Sequence, residues 1–206
     1  MHSVSTLPSV STAQSVSTTH SVWMTSIRFT LLTTVLLGLC YPLVLTGIAG
    51  LIFPNKAAGS LILKNGGIIG SKLLAQSFTS DRYFHPRPSA AGNGYDATSS
   101  GGSDLAQSNA KLVQRIQDDI DKLQAQNPGK PVPIDMVTTS GSGLDPDITP
   151  DNALYQAPRV AKARGLSEEQ VHQLIQQHIE GRTFDLLGEP RVNVLELNLA
   201  LDKLSK

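Results

Sequence analysis

The stretch FTLLTTVLLGLCYPLVLTGIAGLIF, Phe29 to Phe53, runs for 25 residues without a charge and limits this chain more than any other feature. As a helix it reaches about 37 Å at ~1.5 Å per residue, enough to cross a ~30 Å hydrocarbon layer with some tilt. A buried helix of a soluble protein rarely stays uncharged for so long, because one face meets water. A signal-peptide core is shorter and ends in a small-residue cleavage site, which is absent here. The segment therefore reads as an uncleaved membrane anchor. Pro42 near its middle removes one backbone bond and predicts a bend. Gly38, Pro42, Thr46 and Gly50 stand four apart in one row, and such a row lets a second helix approach closely. Pro42, Thr46 and Gly50 are thus candidate contacts with a membrane partner; the alternative is the ordinary glycine content of membrane helices.

The flanks of the anchor differ in kind. Residues 1–28 carry "SVST" at 3–6, 9–12 and 15–18, a Ser/Thr/Val repeat too poor in large apolar residues to form a core. They read as a disordered tail, with Met24 as an alternative start. Arg28 precedes the apolar run, while Lys56, Lys64 and Lys72 follow it, so counting positive charges does not fix the side of the membrane. All 17 acidic residues follow Pro54, and of the 17 basic ones only Arg28 precedes it. Residues 54–206 are then one charge short of neutral and hold no basic field for nucleic acid. The single cysteine, Cys40, excludes a disulfide framework and a cysteine-based zinc site.

Beyond residue 53 the patterns alternate between strand and helix. "SLILKNGGIIGSKL" reads as a hairpin turning at Asn65-Gly66. Residues 76–104 form a long Gly/Ser/Pro-rich loop whose aromatic residues Phe78, Tyr83, Phe84 and Tyr95 argue against disorder. Leu112, Val113, Ile116, Ile120 and Leu123 mark one face of a helix over 109–126. "VPIDMVT" reads as a short strand. A helix is expected from Pro150 at a first-turn position to Gly165 as its stop, kinked at Pro158. Ser167 and Gln170 form a capping-box pattern ahead of an apolar stripe of Val171, Leu174, Ile175 and His178. "VNVLELNLALDKL" favours helix by composition. The fold class is a single transmembrane helix plus one α+β soluble domain, residues 54–206.

Candidate chemistry is thin. "GGIIGSKL" fails the spacing of a phosphate loop, and no Ser or Thr follows Lys72. An EF-hand loop starting at Asp145 would place Pro150 where glycine is needed and Gln156 where a bidentate glutamate belongs. Asp145 and Asp147 read as turn and helix-start residues, with looser cation binding as the alternative. Ser142 lies between glycines but not in a nucleophile elbow, and His172 and His178 are six apart, so they cannot share a helix face as a metal pair. No catalytic residue and no metal ligand is assigned. Tyr83, Phe84, Arg87 and Pro88 suit contacts with a protein partner, against packing on their own domain. "TTSGSGLDPDIT" reads as a strand-to-helix connection whose small residues permit close packing.

Several long motifs carry a resemblance: "YPLVLTGIAGLIFP", "GSKLLAQSFTSDRYFHPRPSA", "SGGSD", "MVTTSGSGLDPDITPDNALYQAPRVAKARGLSEEQV" and "EGRTFDLLGEPRVNVLELNLALD". In order and over about Met24 to Lys203, the chain resembles the C subunit (KdpC) family of the bacterial Kdp potassium-transporting ATPase. Asp104 and Ala157 stand where that pattern leads one to expect Asn and Val, and the N-terminal repeat has no counterpart. The resemblance implies one transmembrane helix and one soluble domain in the inner membrane, within a complex of a channel-like potassium-binding subunit, a P-type ATPase subunit and a small membrane peptide. It implies assembly of the complex and a catalytic-chaperone role that raises the pump subunit's affinity for ATP. A non-catalytic part is consistent with the absence of an Asp-Lys-Thr-Gly loop. Gln156, and with it Ser100, Gly101, Gly102 and Ser103, are the ATP contacts it suggests. An extracytoplasmic domain cannot touch cytoplasmic ATP across a ~30 Å bilayer, so transmission through packed helices is the expectation. The alternative from the residues alone is a membrane-anchored extracytoplasmic hydrolase or binding module.

Overall fold

The computed structural model describes residues 13–64 and 66–204, with side chains from Ser21 onward. The first twelve residues of the repeat and Asn65 lie outside them. The chain divides into two units, Met1–Ala58 and Gly59–Lys206.

The first unit is helical. Helix α1 (Ala13–Val35) runs into a π-helical turn (Leu36–Cys40) and then α2 (Tyr41–Ile52), followed by the single turn α3 (Pro54–Ala57). Helix therefore begins at Ala13, inside the segment expected to be a tail. The part long and apolar enough to span a membrane is Ser21–Ile52, and none of its side chains is buried within the chain. The π turn is the local answer to Pro42. Proline lacks the N–H that would bond the carbonyl four residues back and its ring crowds that carbonyl. The helix widens one residue earlier, so that the Tyr41 N–H donates to Leu36 O, five residues back. Thr25 and Thr33 turn their hydroxyls onto the carbonyls of Ser21 and Phe29 at 2.9 and 2.8 Å, which keeps polar groups satisfied where no water is available. A Cβ built at Gly47 or Gly50 meets no atom within 4 Å, so the small-residue row is open within this chain.

The second unit opens with the hairpin β1 (Leu61–Lys64) and β2 (Gly67–Ser71), paired antiparallel with Lys64 opposite Gly67. The two-residue connection matches the expectation. Gly66 sits at φ +80°, the left-handed region that a tight hairpin turn requires. After a long irregular stretch comes α4 (Ala110–Gln126), capped by the Asn109 side chain on the Lys111 N–H at 2.9 Å. Its expected apolar face is only partly covered: no residue of α4 is buried, and Val113 is 56% exposed. "VPIDMVT" is not a strand but a 3₁₀ turn, Ile134–Met136. Pro131 and Pro133 remove ladder donors there, and Asp135 turns inward instead.

The remaining elements build the core. β3 (Asp147–Ile148), β4 (Ile179–Glu180) and β5 (Arg191–Asn193) form an antiparallel sheet in the order β3-β5-β4. Helix α5 (Pro150–Arg164) starts with Pro150 after the Thr149 cap and ends at Gly165, φ +68°. Helix α6 (Glu168–Gln177) carries both arms of the Ser167–Gln170 capping box. Helix α7 (Val194–Leu204) follows β5 directly, so the expected C-terminal helix is preceded by a short strand. Ile148, Val160, Val171, Ile175, Val192, Leu197 and Leu201 from these elements close around Phe84.

Candidate functional site

Residues 81–85, in no strand of either sheet, cross the second unit as a strap. Backbone groups taken from water need partners, and here side chains supply them. The five consecutive carbonyls of Asp81, Arg82, Tyr83, Phe84 and His85 accept from Arg159 Nη1 (2.8 Å), Arg164 Nε (2.6 Å), Arg159 Nη2 (3.0 Å), Asn198 Nδ2 (2.9 Å) and Gln156 Nε2 (3.0 Å). The N–H groups of Phe84 and His85 donate to Asn198 Oδ1 and Gln156 Oε1, each at 2.8 Å. Two carboxamides, one from α5 and one from α7, thus imitate a β-ladder for one residue each. Phe84 is held with no exposed surface. That corrects its assignment as a partner contact: the side chain is a core plug.

Gln156 is corrected in the same way. It is 3% exposed. Its Oε1 also accepts from Arg159 Nη2 at 2.7 Å and its Nε2 also donates to Asn152 Oδ1 at 2.7 Å. Two acceptor and two donor positions are the full capacity of a carboxamide, so a ligand would have to displace a bond that holds the strap. The polar chain continues through Asn152 Nδ2 to Asp135 (3.0 Å), whose carboxylate also receives the Thr149 N–H and hydroxyl at 2.8 and 3.1 Å.

Above the strap lies a cavity of about 360 Å³, lined among others by Phe78, His85, Tyr95, Asn127, Tyr155 and Arg159, with Gln156 in its wall. Burial pulls the His85 imidazole below its ordinary pKa, and the neighbouring Arg159 charge adds to the effect. His85 is accordingly neutral near pH 7. Asn127 donates to Tyr155 O at 3.0 Å, and the Tyr155 hydroxyl donates to Leu123 O at 2.7 Å, which ties the end of α4 to α5 along one rim. A guanidinium, an amide, a neutral imidazole and aromatic faces make a surface that can bind; they do not make a nucleophile with a base beside it.

The other expected residues fall elsewhere. Tyr83 is half-buried: its hydroxyl donates to Asp202 at 3.1 Å and its ring lies 4.8 Å under the Arg164 guanidinium. Arg87 pairs with Asp145 at 3.1 Å, while its Nε–H is buried without an acceptor. Pro88 lines the cavity. Ser100, Gly101, Gly102 and Ser103 do not line it. They pack against 140–143: the Ser100 hydroxyl and Gly101 N–H both donate to Ser142 O at 2.9 Å. A Cβ at Gly143 (φ +67°) would come within 2.6 Å of Ala91 N and 2.7 Å of Gly101 O, so the small residues of "TTSGSGLDPDIT" do serve close packing. The Ser142 hydroxyl accepts from the Leu144 N–H at 3.1 Å, and no described hydrogen bond joins it to a histidine. Asp147 is engaged by Arg191 (3.1 Å) and by Asn193 Nδ2 (3.1 Å). Sequence reasoning missed Asn198, Arg159 and Arg164 as clamps. The signal available was polar residues inside otherwise apolar helical stripes.

The profile of the family described as "KdpC: K+-transporting ATPase, c chain" matches residues 23–203. The chain is similar to the "Potassium-transporting ATPase KdpC subunit" of Koribacter versatilis, 58% identical over 179 residues that cover 87% of this chain and 93% of that one. It is similar to the subunits of the same name from Acidobacterium capsulatum, 55% identical with 87% and 97% covered, and Methylobacterium nodulans, 54% identical with 84% and 92% covered. An apolar helix of spanning length, a soluble α+β unit and this likeness along nearly all of the sequence agree: the chain belongs to the KdpC family, the c chain of the K+-transporting ATPase.

Proposed function

We propose that the chain is a membrane-anchored accessory subunit of an ATP-driven potassium pump of the inner membrane. On this reading it assembles and stabilises the complex and performs no chemistry of its own. The observation that carries the reading is the family match over 23–203, on a chain with no Asp-Lys-Thr-Gly loop. Its neighbours are then the potassium-binding channel-like subunit, the P-type ATPase subunit and the small membrane peptide. The open row Pro42, Thr46, Gly50 is the face on which another helix packs. Raising the pump subunit's affinity for ATP is the second part of the role, and it passes through packed helices, because the soluble unit lies outside the membrane.

One experiment tests both parts. The double variant Thr46→Leu/Gly50→Leu leaves this chain's own helix intact, since Gly50 has open space around it. It is expected to lower recovery of the chain with the affinity-purified complex by about tenfold. The complex left behind should bind ATP about fivefold more weakly or worse, the size of an ordinary coupling. Unchanged recovery removes the packing face; lost recovery with unchanged ATP affinity removes the chaperone part. The side is tested separately. A cysteine introduced at the exposed Ser142, with Cys40 replaced, should react with an impermeant maleimide in intact spheroplasts. Labelling only after lysis would put the soluble unit in the cytoplasm.

A further inference from the structure

The connection between β4 and β5 is a knob. Thr183 and Leu187 bond to each other twice, N–H to carbonyl at 2.8 and 2.9 Å. Below them Arg182 Nη2 reaches both oxygens of Glu189 at 2.9 and 2.7 Å. Lower still, the strands that carry the knob are cross-linked by Arg191 to Glu180 (2.8 Å) and Lys72 to Glu180 (3.2 Å). Between these ties the backbone takes a conformation that non-glycine residues seldom adopt: Phe184 at φ +56° and Asp185 at φ +58°, with Gly188 at φ +82°. The loop is thus fixed in shape, and what that shape presents is apolar. Phe184 is 90% exposed, Leu186 76% and Leu187 60%. Three large apolar side chains within four residues, on a stiff mount and touching little of their own domain, are a pattern of contact surfaces rather than of folding.

We infer that this knob, Phe184 to Leu187, docks into an apolar pocket on another protein subunit of the complex, with a cationic or N–H-rich group at the pocket rim to meet Asp185. The inference rests on the subunit reading above. Asp185 decides between occupants. Its carboxylate stands at the tip between Phe184 and Leu186, and no described ion pair or side-chain hydrogen bond engages it. Burying Phe184 and Leu186 in hydrocarbon would drag that charge out of water with nothing to pair it. A protein pocket can supply a partner in the same place. The Arg182–Glu189 pair at the stem is likewise suited to a polar rim around an apolar centre. A second copy of this chain would have to offer a cation beside an apolar hollow, and the knob's own surroundings offer the reverse.

The test uses the full-length chain in the co-expressed complex. A photo-reactive benzoylphenylalanine in place of Phe184 is expected to give, on illumination of membranes, an adduct with a polypeptide subunit of the complex. An adduct with lipid, with a second copy of this chain, or with nothing would overturn the proposal. The triple variant Phe184→Ser/Leu186→Ser/Leu187→Ser should lower recovery with the complex by about tenfold, while its thermal midpoint stays within about 2 °C because the three side chains are exposed. Recovery equal to that of the unaltered chain sinks the knob alone. Failure of the unaltered chain itself to co-purify would sink the subunit reading and the knob with it.

Discussion

Gly143→Ala should lower the stability of the soluble unit by about 3 kcal/mol, a drop of roughly 10 °C in its thermal midpoint for a domain of this size. Two causes add. At φ +67° an L-residue is strained whatever space surrounds it. Here there is no space: the new methyl would lie 2.6 Å from Ala91 N and 2.7 Å from Gly101 O, which are backbone atoms and cannot rotate away. Those atoms are themselves fastened. Ser89 donates its hydroxyl to Gly143 O at 2.6 Å and accepts from the Ala91 N–H at 3.1 Å. The comparison is Gly141→Ala, two residues earlier, where a Cβ meets nothing within 4 Å and φ is ordinary; it should cost less than about 0.5 kcal/mol. Differential scanning fluorimetry of both variants decides the matter. If the two melt together, the close approach of the loops at 91, 101 and 143 is not what holds this region.

Asn198→Ala is the second large effect, at about 3–5 kcal/mol. Asn198 is 1% exposed, and its carboxamide holds both the N–H and the carbonyl of Phe84. Alanine leaves both groups buried without a partner and opens a void beside a fully buried aromatic ring. The loss has a local signature besides lower stability. In hydrogen exchange the Phe84 amide should lose protection, while the His85 amide, clamped by Gln156, keeps more of its own. Equal loss at both positions would mean that the strap comes free as one piece, and the separate action of the two clamps would be disproved.

The legible parts of the fold were those written in local chemistry. The apolar run from Phe29, the Asn65-Gly66 turn position, Pro150 and Gly165 bounding α5, and the Ser167–Gln170 box each depend on a few neighbouring residues, and the structure shows an element at each, although Asn65 itself is outside the described residues. The helix start at Ala13 was not legible, because Ser, Thr and Val are poor helix formers taken alone. The short sheet was hidden for a different reason: two-residue strands have no period to read. The site was the least legible part. Phe84 looked like a contact residue because aromatic and arginine residues cluster around it, yet the partners that bury it come from α5 and α7, more than 70 positions away along the chain. Gln156 carried the family's suggested ATP contact, and only coordinates could show that all four of its hydrogen-bond positions are spent inside the chain.

The outer strands of the three-stranded sheet, β3 and β4, are two residues long each. A strand edge is a template on which another chain can add its backbone, and long flat edges seed polymers. Rims this short give a newcomer almost nothing to zip onto. By fastening its interior with amide and guanidinium side chains in place of an extended ladder, the domain gains a guard against self-stacking among identical copies crowded along one bilayer.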